Sequence, residues 1–318
     1  MVNALMSDRF GIPAVMNKLP RAKRIAVLSA LVEGCSVASV TRMTGVAKRS
    51  VLNLLVDLAM VCAAYMDANL RNLKCKRVQV DELWSFVGKK QKRATDADKA
   101  CGKGDAWVWL GIDADSKLIV SYLVGQRDGD HAEAFITDLA SRLANKIQLT
   151  SDGLRLYVDA VENAFGADVD YAQLVKQYTN TVEGEKRYSP AQCCGAVKTP
   201  VTGRPAMEHV STSYSERLNL TVRMQDRRFT RLTNAFSKKI DNHTASTIIH
   251  VMWYNFVRRH ATLRVSPAME AGVTDHLWSL GEIVDLLEKH EAQEAAAQIK
   301  PSGLTPVRRR SEVVGQAK

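Results

Sequence analysis

The spacing of apolar positions changes near residue 77, and the change divides the chain. Before it the spacing is helical. Ile25, Leu28 and Val32 share one face of a helix that opens at Pro20 and stops at Gly34. Ser36 can cap a short helix carrying Val37 and Val40, and Thr44-Gly45-Val46 turns the chain. A longer helix then carries Val51, Leu54, Leu55 and Leu58. Short helix, glycine-bearing turn and longer helix over about residues 36–58 predict a helix-turn-helix.

After residue 77 the apolar positions alternate. Val78–Val87, Ala106–Asp113 and Leu118–Val124 read as three strands of an antiparallel meander, with Lys89 to Gly104 as a polar hairpin loop. An amphipathic helix over His131–Asn145, a strand at Ile147–Thr150, a helix over Leu156–Phe165 and a strand over Ala172–Tyr178 follow. The order βββαβαβ predicts an α/β fold, a mixed five-stranded sheet flanked by helices and preceded by an all-α module. Residues 180–210, with Pro190, Gly195, Pro200, Gly203 and Pro205, predict an irregular excursion. Helices resume at Thr212, and Ala245, Ile248, Ile249, Met252 and Phe256 mark a buried one. Periodicity fades from Lys289 into a Gln/Ala-rich run and then Arg308-Arg309-Arg310, the composition of a mobile basic tail. The expected divisions are therefore 1–74, 75–288 and 289–318.

Composition adds a partner. The chain of 318 residues carries a net charge of +10, with 46% hydrophobic and 25% charged residues, which excludes a disordered or fibrous protein. Residues 1–77 hold twelve Lys/Arg against four Asp/Glu, so the helical module carries most of the excess. Such a module suits a polyanion, because neutralising phosphates releases counterions. Lys48, Arg49, Ser50 and Asn53 stand at the start of the longer helix, where side chains suit phosphates and base edges of a major groove. No apolar run approaches the roughly 18 residues a membrane span needs, and Met1–Lys18 shows no signal-peptide pattern, so an intracellular protein is expected, cytoplasmic and with the nucleoid when bound to DNA. None of the six cysteines forms a C-x-x-C pair, and Cys193, Cys194 and His209 lack the spacing of a common zinc finger.

Three acids stand out by position. Asp81 lies in the first strand, Asp152 ends a short apolar strand, and Glu216 opens a helix. Carboxylates from two neighbouring strands and a covering helix could hold Mg²⁺ or Mn²⁺, which prefer hard oxygen ligands. Residues 216–239 add seven Lys/Arg against two acids. Arg223 and Arg227 fall on the face of Glu216 if the helix continues, and Arg228, Arg231, Lys238 and Lys239 extend a basic ridge suited to phosphates. Asp113 and Asp115 compete as acids but sit at an expected hairpin turn.

These residues carry a resemblance. Val80-Asp81-Glu82-Leu83-Trp84, Thr150-Ser151-Asp152-Gly153 and His209-Val210-Ser211-Thr212-Ser213-Tyr214-Ser215-Glu216-Arg217 resemble the three acidic motifs of bacterial insertion-sequence transposases of the DDE superfamily. The segments 228–239, 253–260 and 263–269 resemble further stretches of that family, in order. The resemblance implies a ribonuclease-H-like catalytic domain with Asp81, Asp152 and Glu216 as ligands of the catalytic metals. It implies cleavage of transposon ends by water and attack of the freed 3′-hydroxyl on target DNA. It also implies double-stranded DNA as partner, both terminal repeats and target, and a homo-oligomer on paired ends. A structure-selective nuclease on the same fold and a non-enzymatic DNA-binding regulator are the alternatives, and the complete acid trio argues against the second.

Overall fold

Alternation from Arg77 to Val87 produces the central strand of the molecule, because one set of side chains is buried on each face of a sheet. A computed structural model describes residues 18–178, 193–230 and 233–298. Three helices come first, α1 (Arg21–Val32), α2 (Val37–Thr44) and α3 (Lys48–Asn69). Strands β1 (Arg77–Val87), β2 (Gly104–Asp113) and β3 (Ile119–Gly125) form the meander, with a short helix α4 (Asp96–Ala100) in the loop expected to be a plain hairpin. Helix α5 (Gly129–Arg142), β4 (Ile147–Ser151), α6 (Leu156–Phe165) and β5 (Val169–Tyr178) follow, then β6 (Cys193–Thr202). Helices α7 (Ser213–Gln225), α8 (Ile240–Met252), α9 (Pro267–Glu270) and α10 (Leu280–Gln298) complete the described chain.

The sheet order is β3-β2-β1-β4-β5-β6. The meander is antiparallel, β4 and β5 run parallel to β1, and β6 returns antiparallel to β5. Its first five strands have the order and directions of a ribonuclease-H-like sheet, as expected. The sixth strand corrects the expectation of an irregular excursion over all of residues 180–210. It pairs with β5 by main-chain bonds while most of its side chains stay exposed, so it has no burial pattern. At the opposite edge the Asn255 amide bonds both the N–H and the C=O of Ile119, which satisfies part of the unpaired margin of β3.

Helices α5 and α6 cover one face, where Trp109 packs on Phe135 and Tyr157. Helices α7 and α8 cover the other, where Ser85 meets His243 and Asp81 meets Asn219. The N-terminal helices do not stand apart. Val27, Leu55 and Leu58 belong to one continuous apolar core with Leu83, Phe135 and Ile248. Helix α3 is by length and composition apolar enough to cross a membrane, which corrects the expectation that no run approaches that length. Its Val51, Leu55, Leu58 and Cys62 are buried, and it packs on α8 and α10. Gly34 ends α1 at a φ of +77°, where a Cβ would lie 3.2 Å from the Met224 carbonyl oxygen, so glycine lets the α1–α2 turn close on the end of α7. Helix α10 extends to Gln298, into the segment expected to be a tail, and Arg24 and Arg21 of α1 pair with its Glu291 and Glu288. Arg308-Arg309-Arg310 lie outside the described residues.

Candidate active site

Strand β4 leaves β1 after the pair Gln79–Thr150, and Asp152 follows just beyond its end. An Asx-type bond from the Leu154 N–H to Asp152 Oδ1 at 3.0 Å sets the turn into α6. Beyond this point the β4 side of β1 is unpaired, while β2, itself paired with β3 as far as Trp107, continues on its other side, so side chains from both faces of β1 can reach the open strand end. Asp81, Glu82 and Asp152 consequently gather, each offering one carboxylate oxygen within 4.8 Å of the others. Asp81 and Asp152 meet as the sequence predicts. Glu82 is the member that sequence reasoning missed.

The cluster is electrostatically strained. Burial, then the charges of Glu82, Asp152 and Glu216, push the Asp81 carboxyl up to about 7, against a main-chain bond from Glu82 N at 2.8 Å that favours its anion. Burial raises Glu82 as well, while Tyr157 and Arg127 oppose the shift. Arg127 Nε donates to Glu82 Oε2 at 3.2 Å, and Glu82 Oε1 is buried without a partner. The Tyr157 phenol, fully buried beside Glu82, is pushed well above its ordinary range by that burial and that charge. Three hard oxygen donors, a raised carboxyl and an orphaned oxygen fit a hard divalent cation, and Asp81, Asp152 and Glu82 are the residues that would hold it.

Glu216 stands close to this cluster but is engaged elsewhere. Helix α7 begins without a side-chain cap of its own. Instead Gln79 Oε1, on the β1 face that carries Asp81, accepts the N–H groups of Tyr214 at 2.8 Å and Ser215 at 3.1 Å. One turn along, Asn219 donates to Asp81 Oδ2 at 2.7 Å. These bonds fix the first turn of α7 over β1, and the Glu216 charge is felt at Asp81. The Glu216 carboxylate pairs with Lys176 of β5 at 2.5 Å and accepts from Thr212 Oγ1 at 2.7 Å, and it is not part of the 4.8 Å cluster.

The basic residues divide. Lys48 and Arg49 are exposed at the first turn of α3, with Ser50 and Asn53 half-buried behind them. Lys238 and Lys239 are exposed, and Lys238 is held below its ordinary range by desolvation and by the neighbouring Lys48 charge. The start of α3 and the segment before α8 therefore form one cationic patch. The basic run is not carried on one helix, because α7 ends at Gln225. Asp226 caps a separate turn over Arg227–Phe229, which moves Arg227 off the helix of Arg223. Arg228 is a correction: its guanidinium bonds Ser246 Oγ at 2.7 Å beside Asp226, its side chain is only 9% exposed, and it serves the interior. Arg231 lies outside the described residues. Cys193 and Cys194 are exposed neighbours on β6, whereas His209 contacts Arg77, so the described residues form no zinc site there.

No protein family and no curated protein matches the chain in sequence. Solved structures similar to it include a piggyBac transposase synaptic complex with hairpin DNA, at 10% identity and a TM-score of 0.41, covering 98% of this chain and 81% of that one. A simian T-cell lymphotropic virus intasome is similar at 11% identity and a TM-score of 0.32, covering 92% and 78%. A pre-cleavage Mos1 transpososome is similar at 10% identity and a TM-score of 0.23, covering 78% and 82%. What this chain's own geometry defines is a ribonuclease-H-like sheet with a carboxylate cluster where β4 ends.

Proposed function

We propose that the protein is a DNA transposase of the DDE type, which cleaves transposon ends and joins the freed 3′-hydroxyl to target DNA. The observation that carries this reading is the gathering of Asp81, Glu82 and Asp152 at the open end of β4, with the Glu216 helix pinned above Asp81. Asp81, Asp152 and Glu216 are the proposed catalytic acids, and Glu82 adds a fourth carboxylate. When bound, Mg²⁺ or Mn²⁺ supplies Lewis acidity toward a phosphate oxygen and toward the attacking water or hydroxyl.

The protein's residues do the rest. Asn219 orients Asp81, and Gln79 holds the turn that carries Glu216. Arg127 neutralises part of the negative charge that Glu82 brings to the cluster. Lys48 and Arg49, with Ser50 and Asn53 behind them, grip duplex DNA through α2 and α3 as a helix-turn-helix, and Lys238 and Lys239 extend the grip. Arg223, near the end of α7, and Arg227, in the turn after it, would add phosphate contacts. A homo-oligomer on paired ends, and location with the nucleoid, follow from the same reading.

The experiment is incubation of the protein with the DNA that flanks its own coding sequence, in Mg²⁺, followed by sequencing of the products. Joined products are expected. Cleaved but unjoined DNA would replace the transposase with a nuclease on the same fold, and intact DNA would leave only binding.

A further inference from the structure

The β1–β2 ribbon carries an aromatic row that the acidic cluster does not use. On the Glu82 face of the ribbon, Trp84 lies directly opposite Trp107, and Phe86 follows Trp84 two residues on. The rings of Trp84 and Phe86 are 5.9 Å apart, and Phe236 packs on Phe86 at 4.6 Å. Helices α5 and α6 cover this face only as far as Trp109, so these four rings remain half-buried, not interior.

The row is also bracketed by cations. Arg127 lies over Trp107 at 5.0 Å while its Nε holds Glu82, so one guanidinium joins the row to the acidic cluster. Lys90 stands over Trp84 at 5.6 Å, and Lys238 over Phe236 at 3.2 Å. Aromatic faces interleaved with cations are the chemistry that holds unpaired nucleic acid, bases on the rings and phosphates on the charges.

We propose that Trp107, Trp84 and Phe86 form a stacking platform for unpaired bases of a DNA strand that reaches the acidic cluster. The platform rests on the DNA reading above and adds to it a preference for strand ends that are frayed or single-stranded. The interior of a duplex does not use it, because bases there are stacked on one another and offer no free face. Separating strands beside the cluster would expose the phosphate to be cut, and the platform offsets the lost stacking.

The test compares a blunt duplex with the same duplex carrying a short oligothymidine extension. The extended DNA should bind roughly tenfold or more tightly, the scale of one stacked base, and should quench tryptophan fluorescence where the blunt duplex does not. Trp84→Leu combined with Trp107→Leu should abolish the preference and leave blunt-duplex binding in place, whereas Trp84→Phe should retain most of it. Equal binding of the two DNAs by the wild-type protein overturns the platform alone, with no variant needed. Loss of binding to both DNAs in a double variant that melts like wild type also overturns it. Failure of the wild-type protein to bind either DNA removes the platform together with the transposase reading.

Discussion

Replacing Gln79 with alanine separates the framework of the site from its chemistry. Gln79 is 3% exposed, and its carbonyl oxygen is the acceptor for two first-turn N–H groups of α7. Ser215 is 1% exposed, so its N–H would lose an acceptor with no water to replace it, costing about 1–3 kcal/mol. Tyr214 is 39% exposed and its N–H can turn to solvent, so about 0.5 kcal/mol suffices there. Lost methylene burial adds about 1 kcal/mol. The sum, roughly 2.5–4.5 kcal/mol, should lower Tm by about 4–7 °C in a chain of 318 residues. The bond from Asn219 to Asp81 and the position of Glu216 both depend on that turn, so strand cleavage should fall about 10- to 100-fold. Duplex binding, which uses Lys48 and Arg49 at the start of α3, should change by less than about twofold. Gln79→Glu is the control. Its carboxylate can accept both N–H groups and favours a helix N-terminus, but a buried charge beside Asp81 costs part of that gain, so Tm should recover only in part and cleavage should stay low. Scanning calorimetry and a labelled-strand cleavage assay read the two effects. A Gln79→Ala protein with the wild-type Tm and wild-type cleavage would refute the claim that β1 positions α7.

Asp152→Asn keeps the size of the side chain but removes a charge that offsets a cation's lost hydration, so cleavage and joining should fall at least ~10²-fold while DNA binding persists. Wild-type joining by that variant would remove Asp152 from the site. Lys48→Ala with Arg49→Ala should weaken duplex binding and flatten its dependence on salt, and an unchanged slope in a titration of ionic strength would place the DNA elsewhere. His243 is buried and held down to about 4 by that burial, so the unfolded chain binds more protons between about 4 and 6.5 and the neutral ring's contribution is lost as pH falls through that window. Asp81, raised to about 7, pulls the wild-type curve the other way, so the measurement is a comparison. The stability advantage of wild type over His243→Gln in urea melts should shrink by about 2 kcal/mol between pH ~8 and pH ~5, and a constant difference would contradict the neutral buried histidine.

The strands that carry the first acids were legible because they are half-buried ladders. Val78–Val87 was expected and Arg77–Val87 is found, since each face meets a covering helix. Asp81 and Asp152 followed from strand and strand end. Strand β6 was not legible, because Gly195, Pro200 and an exposed surface leave no alternation, and only pairing with β5 makes it a strand. Glu82 carries no signal of its own in the sequence, since neighbours in a strand point to opposite faces. The exception arises because β4 pairs with β1 only as far as Gln79 while β1 runs on to Val87, which lets both faces converge on Asp152. Arg228 was misassigned because charge in a basic run looks the same whether it faces solvent or Ser246, and only packing distinguishes them. The end of α7 did have a signal, Asp226, an acid suited to capping the next turn.

The central claim is that the carboxylate cluster at the end of β4 holds a divalent cation. Crystals of the protein grown in Mn²⁺ and measured at the manganese absorption edge test it most directly. The account predicts an anomalous peak within coordinating distance of Asp81 and Asp152, bordered by Glu82, and its disappearance in Asp152→Asn. A peak elsewhere on the protein with none at this cluster would contradict it.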